Sequence, residues 1–433
     1  MTTTEDVVGA ANELFALDVD RVRCPYPTFT ALRDHATVVW FDALESFVVT
    51  DYDLIVEVLK QPDKFSSRYA TGRATELKLM TVMAELAMED PEIMAIAQRQ
   101  MEHGVSAVLL SADPPAHPRQ RALVNRAFTP PAVRRLEPDI ERIAAELIDE
   151  FADRGTVELM SEFAGPLPMI VIANALGVSL DRIDDFTRWS RTIASAIGNS
   201  TLGKPELADL LRARTELADY LLSVVQERAQ EPRDDVISQI VQAEIDGERL
   251  THHEVVNMAV QFLLAGNDTT AKLLGASLLR LAEDPEQADR LRKDPDRIPA
   301  FVEEMLRVEP PINGTYRIAD VEYELGGVTI PADSSLWLVY AAGNRDPGHF
   351  DAPDECRYAR EATSPHLAFG LGPHFCLGAT LARAEAKIGL RMLLDRFDDI
   401  RLDIDSADVP YDSTFMLHGI QRLPLALGSA APA

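Results

Sequence analysis

Hydrophobic and polar positions alternate between two periods along this chain. Near the N-terminus two short apolar runs, Val38 to Phe41 and Ser46 to Thr50, predict a small hairpin, and Asp51 to Lys60 a helix behind it. From Pro131 to Gln230 the pattern is helical, punctuated at Gly155, Pro166, Gly177 and Gly203-Lys-Pro205. Thr251-His-His-Glu254 then reads as a capping box, opening a helix that runs to about Asp284-Pro285. At about 1.5 Å per residue such a helix is on the order of 50 Å long and must cross the molecule. After Pro310-Pro311 the pattern turns to strands, Val321 to Leu325 and Val328 to Ile330, joined at Gly326-Gly327. A last helical stretch, Leu377 to Phe397, carries apolar residues at Leu377, Leu381, Ile388 and Met392. The coarse class is mainly α with a smaller β part.

Between Ser67 and Asp113 lie Met80, Met83, Met88, Met94 and Met101. Two readings stand: a pair of ordinary helices with methionine as gap-filler, or an adaptable apolar wall over a pocket.

Bulk properties change this picture little. The 433 residues exceed what one hydrophobic core usually serves, about 250–300 residues, yet no linker, repeat or low-complexity tract marks a boundary. With 42 basic and 70 acidic residues the net charge is −28, which argues against nucleic acid as a partner. Three cysteines, Cys24, Cys356 and Cys376, suit a reducing compartment without a disulfide framework. The first residues have no basic and apolar leader pattern, and no run of 18 apolar residues occurs. The expectation is a cytoplasmic protein with no signal peptide and no membrane anchor.

The chemistry concentrates in Phe369-Gly-Leu-Gly-Pro-His-Phe-Cys-Leu-Gly378. It sets Cys376 on a glycine-rich loop directly before a helix. A thiol there meets the positive end of the dipole and unpaired N–H groups, which favour the thiolate. Gly372 and Gly378 allow tight turns and close approach of a flat ligand. A thiolate is a strong ligand for iron.

Phe369, Gly372, Cys376 and Gly378 match F-x-x-G-x-x-x-C-x-G, and by them the chain resembles the cytochromes P-450 in their haem-binding signature. The resemblance implies one large domain over residues 1–433, with a helical body around 120–310, β-rich N-terminal and meander parts and a long central helix over the haem. It implies haem b with Cys376 as axial thiolate, and the mobile lid of the family near Gly203-Lys-Pro205.

Three further matches follow. Ala265-Gly266-Asn267-Asp268-Thr269-Thr270 matches the oxygen-activation motif A-G-x-D/E-T. Gly266 gives room for a ligand, a threonine hydroxyl can satisfy a helix carbonyl and loosen the ladder, and Asp268 beside Thr269 offers a proton source and relay. Relatives that use hydrogen peroxide directly usually lack this acid. Glu304-Met-Leu-Arg307 matches E-x-x-R, which the family joins to a meander arginine, here Arg360; Glu303 could equally reach Arg307 at i,i+4. His117, Arg121, Arg317 and His374 stand at the family's positions for holding the haem propionates.

Two other patterns carry no function. His253-Glu-Val-Val-Asn257 lacks the second histidine of a zinc-protease motif, and Gly370-Leu-Gly372 has Phe375 where a dinucleotide loop needs its third glycine. With no flavin or nicotinamide module, electrons must come from outside.

The reading is therefore a haem-thiolate monooxygenase, monomeric, taking O2, NAD(P)H-derived electrons from a ferredoxin and its reductase, and a hydrophobic terpenoid, steroid or fatty-acid-like substrate. Arg119, Arg126, Arg134, Arg135, Arg383 and Arg391 are candidates for the donor's dock. Pocket candidates are the Met-rich stretch, Ile193 to Leu210, Val260 to Ala265, Ile312 to Tyr316 and Phe415 to Leu417. The alternatives are oxidative coupling or ring formation on a carrier-bound substrate, and a haem sensor without turnover.

Overall fold

The computed structural model describes residues 4–102, 107–199, 201–245, 247–358, 360 and 364–430. One helix organises it. His252–Glu283 begins at a reciprocal capping box: Glu254 N donates to Thr251 Oγ1 at 3.2 Å, and Thr251 N donates to Glu254 Oε2 at 2.9 Å. It stops at Asp284, because Pro285 opens the next helix, Pro285–Lys293. Its 32 residues span about 48 Å at about 1.5 Å per residue.

The second half of this helix is apolar on one face, with Leu273, Leu274, Leu278 and Leu281 at 1% exposure or less. That face packs among helices Pro130–Asp149, Pro166–Leu176 and Ala379–Arg396, with Phe163, Leu390 and Leu393 between them. Each such leucine contributes about 1.5–3 kcal/mol by leaving water, so this seam fixes where the chemistry-bearing helices sit. Glycine is needed at Gly275, where a Cβ would lie 2.7 Å from Met160 Sδ.

A five-stranded sheet flanks the helices in the order Val38–Phe41, Ser46–Val49, Ser335–Leu338, Thr315–Ala319, Phe65–Ser66. Only the Ser46–Val49/Ser335–Leu338 pair is parallel. Thr315–Ala319 is buried along its whole length, so Arg317, opposite Leu336, carries a charge into the interior. The expected hairpins form at Val38–Phe41/Ser46–Val49 and at Tyr323–Leu325/Val328–Ile330, with Gly326 and Gly327 both at positive φ.

Three expectations change. Gly203 is the N-cap of helix Lys204–Gln230, and Lys204 Nζ binds both Glu89 carboxylate oxygens at 2.8 Å, so the segment read as a lid loop opens a helix. The Met-rich stretch does form two helices, Arg73–Glu89 and Pro91–Glu102. However, Met80, Met88, Met94 and Met101 are exposed, and only Met83 packs against the core. The last helix is Ala379–Arg396, so Leu377 and Gly378 belong to the loop. Among the described residues no helix is long and apolar enough to cross a membrane.

Candidate active site

The loop 369–378 folds back on itself through Cys376 N, which donates to Phe369 O at 2.9 Å. Gly370 and Gly372 take φ of +65° and +73°, which side chains rarely adopt. At Gly372 a Cβ would lie 2.5 Å from Leu59 O, so the close approach there is to the helix Tyr52–Leu59, not to a ligand as expected. At Gly378 nothing among the described residues lies within 4 Å of where a Cβ would be. Arg383 lies over the Phe369 ring at 4.4 Å and fixes it.

Burial pushes the Cys376 thiol up, and the N–H groups of Gly378 and Ala379 with the charges of Arg121 and Arg383 oppose that. The helix-end N–H groups thus act in the expected direction, toward the thiolate, while burial opposes them. A metal ion binding the sulfur would reverse the balance.

Beside this loop lies a cluster of bases. His117, from helix Ala116–Val124, is 3% exposed and stacks on His374. His374 Nε2 is 3.0 Å from Ser67 Oγ. Burial and the nearby charges of Arg317, His117 and Arg121 hold its imidazole down at about 3. Arg317 is 4% exposed and donates to Tyr316 O at 2.7 Å, yet makes no ion pair among the described residues. Burial lowers its value, while Tyr340 and Asp113 raise it. Asp113 is itself engaged, by Ser66 Oγ and by Ser67 N at 2.7 Å. Two arginines and two histidines therefore converge on one side of Cys376; burial favours the neutral imidazoles, while Arg121 and Arg317 make no ion pair among the described residues, and a buried unmatched cation costs several kcal/mol. A dianionic group fits this site.

The long helix passes with Ala265 exposed and Gly266, Asp268 and Thr269 partly exposed. Thr269 Oγ1 donates to Ala265 O at 2.7 Å, as a threonine can, but the α-helix runs unbroken through it. A Cβ at Gly266 would meet Ile172 Cγ1 at 3.4 Å, an ordinary packing contact with Pro166–Leu176. Asp268 is not free: its Oδ1 accepts from Lys272 Nζ at 2.5 Å.

Glu304, Arg307 and Arg360 come together as expected. Arg307 binds both Glu304 oxygens at 2.8 Å, Arg360 Nε reaches Oε1 at 3.2 Å, and Arg357 N adds 2.7 Å. Arg307 also donates to Asn344 O at 2.9 Å, Pro353 O at 2.6 Å and Glu355 O at 2.9 Å, anchoring the loop before the cysteine. Glu303 does not compete for Arg307; it pairs with Arg383 at 2.5 Å and His366 at 3.2 Å. Cys356 sits 4.0 Å from Met305 Sδ, and burial raises it to about 11.

Half of the expected basic patch is neutralised. Arg119 pairs with Glu254 at 2.9 Å, Arg383 with Glu303, and Arg391 with Asp395 at 3.4 Å. Arg126, Arg134 and Arg135 remain exposed, with no ion pair among the described residues. Of the pocket candidates, Phe415 instead joins a core cluster with Trp337 at 5.2 Å and Phe15 at 5.6 Å. Ile312 bridges Leu417.

Sequence reasoning missed Ser67, Lys272, Asp412, Glu385 and Tyr340. Lys272 was visible as i,i+4 from Asp268. Glu385, 1% exposed with one oxygen unpartnered, lies one turn into the last helix and faces Thr270. Ser67 and Asp412 come from distant segments and carry no local signal.

Comparison with known proteins accords with this arrangement. The family model described as Cytochrome P450 matches residues 82–418. The chain is similar to Cytochrome P450 107B1 of Saccharopolyspora erythraea, 38% identical over 97% of this chain and 99% of that protein. It is also similar to 6-deoxyerythronolide B hydroxylase of the same organism, 34% identical over 93% of this chain and 96% of the other. Among solved structures it resembles P450BioI, crystallised in complex with an acyl carrier protein bearing hexadec-9Z-enoic acid. There the TM-score is 0.81 and the identity 30%, over 94% of this chain and 99% of that one.

Proposed function

The chain belongs to the cytochrome P450 family and is a monooxygenase, and from that premise we propose that it inserts one atom of O2 into a hydrophobic small molecule, with electrons from a ferredoxin and its reductase. The observation that carries the reading is the convergence of Cys376 with His117, His374 and the guanidiniums of Arg121 and Arg317, neither of which makes an ion pair among the described residues.

The family implies haem with a thiolate ligand, which when bound supplies the redox centre for reducing O2 and oxidising the substrate. Cys376 would ligate it, and the four bases would hold its propionates. Phe369, Gly372 and Gly378 shape the loop that carries the sulfur, and Ala265 and Gly266 of the long helix would contribute to holding the group.

Asp268 and Thr269 handle protons. Thr269 Oγ1 gives its hydrogen to Ala265 O, so its lone pairs point outward to accept from a second donor. Asp268, next to it and partly exposed, is the carboxylate placed to relay a proton toward it. Glu304, Arg307 and Arg360 act at a distance, by fixing the meander from which the cysteine loop departs. Arg126, Arg134 and Arg135 are the exposed cations available to an acidic electron donor.

A second reading, with the substrate carried on an acyl carrier protein, is favoured by P450BioI, whose structure is a complex with such a partner. The test separates the two. Ferric protein is titrated with a steroid, a macrolactone, hexadec-9-enoic acid and the same acid on a carrier protein, while the Soret band is followed. The ligands that shift it are then turned over with a surrogate ferredoxin, its reductase and isotopically labelled O2. One labelled oxygen in the product supports the function; reductant consumed with no labelled product in any case removes it. A response confined to the carrier-bound acid selects the second reading.

A further inference from the structure

Lys272 is a buried ammonium between two carboxylates from different parts of the chain. It is 6% exposed, 2.5 Å from Asp268 Oδ1 on its own helix and 3.0 Å from Asp412 Oδ2 in the C-terminal segment. Burial pulls its value down, but Asp268 and Asp412 outweigh burial and it rises above the ordinary lysine range, so it stays charged.

The C-terminal segment is shaped to this side chain. Asp412 N donates to Gly419 O at 2.9 Å, closing a turn across Lys272. A Cβ at Gly419 would lie 2.4 Å from Lys272 Cγ and 2.5 Å from its Cε, so only glycine lets the stem pass. Between those two residues run Phe415 to Leu417, tied by Asn313 N to Met416 O at 2.7 Å and by Thr414 Oγ1 to Ile197 O at 2.9 Å. The turn that grips Lys272 is thus continuous with segments 193–199 and 312–317.

We propose that Lys272 is the positioning residue for proton delivery: it clamps Asp268 beside Thr269 and is itself clamped by Asp412 and Gly419 of the C-terminal turn. The inference rests on the reading of Asp268 given above. Neither partner alone suffices. Without Asp412 the ammonium can swing about its flexible stem, and without Lys272 two carboxylates are left facing each other where a cation joined them.

The test uses holoprotein with a surrogate ferredoxin, its reductase and NADPH, and measures O2 consumption in H2O and in D2O without organic substrate. Lys272→Met should lower the rate about tenfold and enlarge the solvent isotope effect, and Lys272→Arg should restore at least a third of it. Asp412→Asn should give an intermediate loss of about threefold with Asp268 and Lys272 intact, which covers the case in which Lys272→Met does not fold. Combining Asp268→Asn with Lys272→Met should be no slower than Asp268→Asn alone. Urea unfolding of wild type, Asp268→Asn, Lys272→Met and the double variant should show the two residues coupled, with a non-additivity of about tenfold in the unfolding constant. Multiplicative rate losses, or a wild-type isotope effect in both Lys272→Met and Asp412→Asn, would overturn the proposal. If Asp268→Asn alone behaves as wild type, it is the reading of Asp268 that fails.

Discussion

The imidazoles of His117 and His374 stack with centroids 3.9 Å apart and 27° between their planes, one from a helix and one from the cysteine loop. That contact brings the helix Ala116–Val124 against the loop and sets both rings beside Arg317. Arg317 is buried with no ion pair among the described residues, its guanidinium donating to Tyr316 O. Arg317→Met should therefore leave the apoprotein as stable as wild type or more so, since an uncompensated charge has been removed. The same variant should lose haem about tenfold faster, because a charge-assisted hydrogen bond is worth about 1.5–3 kcal/mol. Urea unfolding of apoprotein and haem transfer to a scavenger measure the two effects. A destabilised apoprotein with unchanged haem loss would refute the assignment.

Arg307 is the opposite case, a buried cation fully matched by Glu304 and three carbonyls. Arg307→Ala leaves Glu304 with Arg360 alone among side chains and should cost about 3–5 kcal/mol. The meander would loosen and the yield of haem-loaded protein fall. Normal holoprotein yield and an unchanged urea midpoint would show that the triad does not hold the fold.

Glu385 makes stability depend on pH in an unusual direction. Burial raises its carboxyl to about 8, with a hydrogen bond to Thr270 opposing, against 4.5 for an ordinary glutamate. Between those values the folded state holds a proton that the unfolded chain releases. Stability is therefore full below about 4.5 and declines as pH rises toward 8, by about 1.4 kcal/mol per pH unit at most. Glu385→Gln removes this slope, so its urea midpoint should exceed that of wild type at pH 8 and approach it at pH 5. Parallel pH curves for the two proteins would mean that Glu385 is charged in the fold.

What the sequence revealed followed the range of the interaction. The capping box at Thr251, the Gly326-Gly327 turn and the cysteine loop are set by residues within a few positions of one another, and all three form. The i,i+3 pair Glu304–Arg307 was legible for the same reason, and its third member only through family likeness. Reasoning went astray where a distant segment decides. Gly372 is constrained by Leu59 and Phe415 by Trp337, each more than 70 residues away. Lys272 was half visible, since its partner at i,i+4 could be counted but Asp412 could not.

Glu303 joins helix Ile298–Val308 to the helix that follows the cysteine, through Arg383 at 2.5 Å, while His366 of the intervening loop comes within 3.2 Å. Burial alone would raise this carboxyl, but the Arg383 and His366 contacts overcome it and hold it at about 2, below the ordinary 4.5. Its contribution is therefore present above 4.5 and is lost as pH falls toward 2. The side chain is 42% exposed, so solvent screening reduces the full linkage value to about 1–2 kcal/mol. Glu303→Gln should unfold at lower urea than wild type at neutral pH, and the gap should close as the pH is lowered below 4.5. Because Arg383 also lies over Phe369, the same substitution should free that ring and disturb the cysteine loop. The Soret band of the ferric variant should broaden at neutral pH without loss of haem. A gap in stability that persists unchanged into acid would show that Glu303 acts through packing and not through its charge.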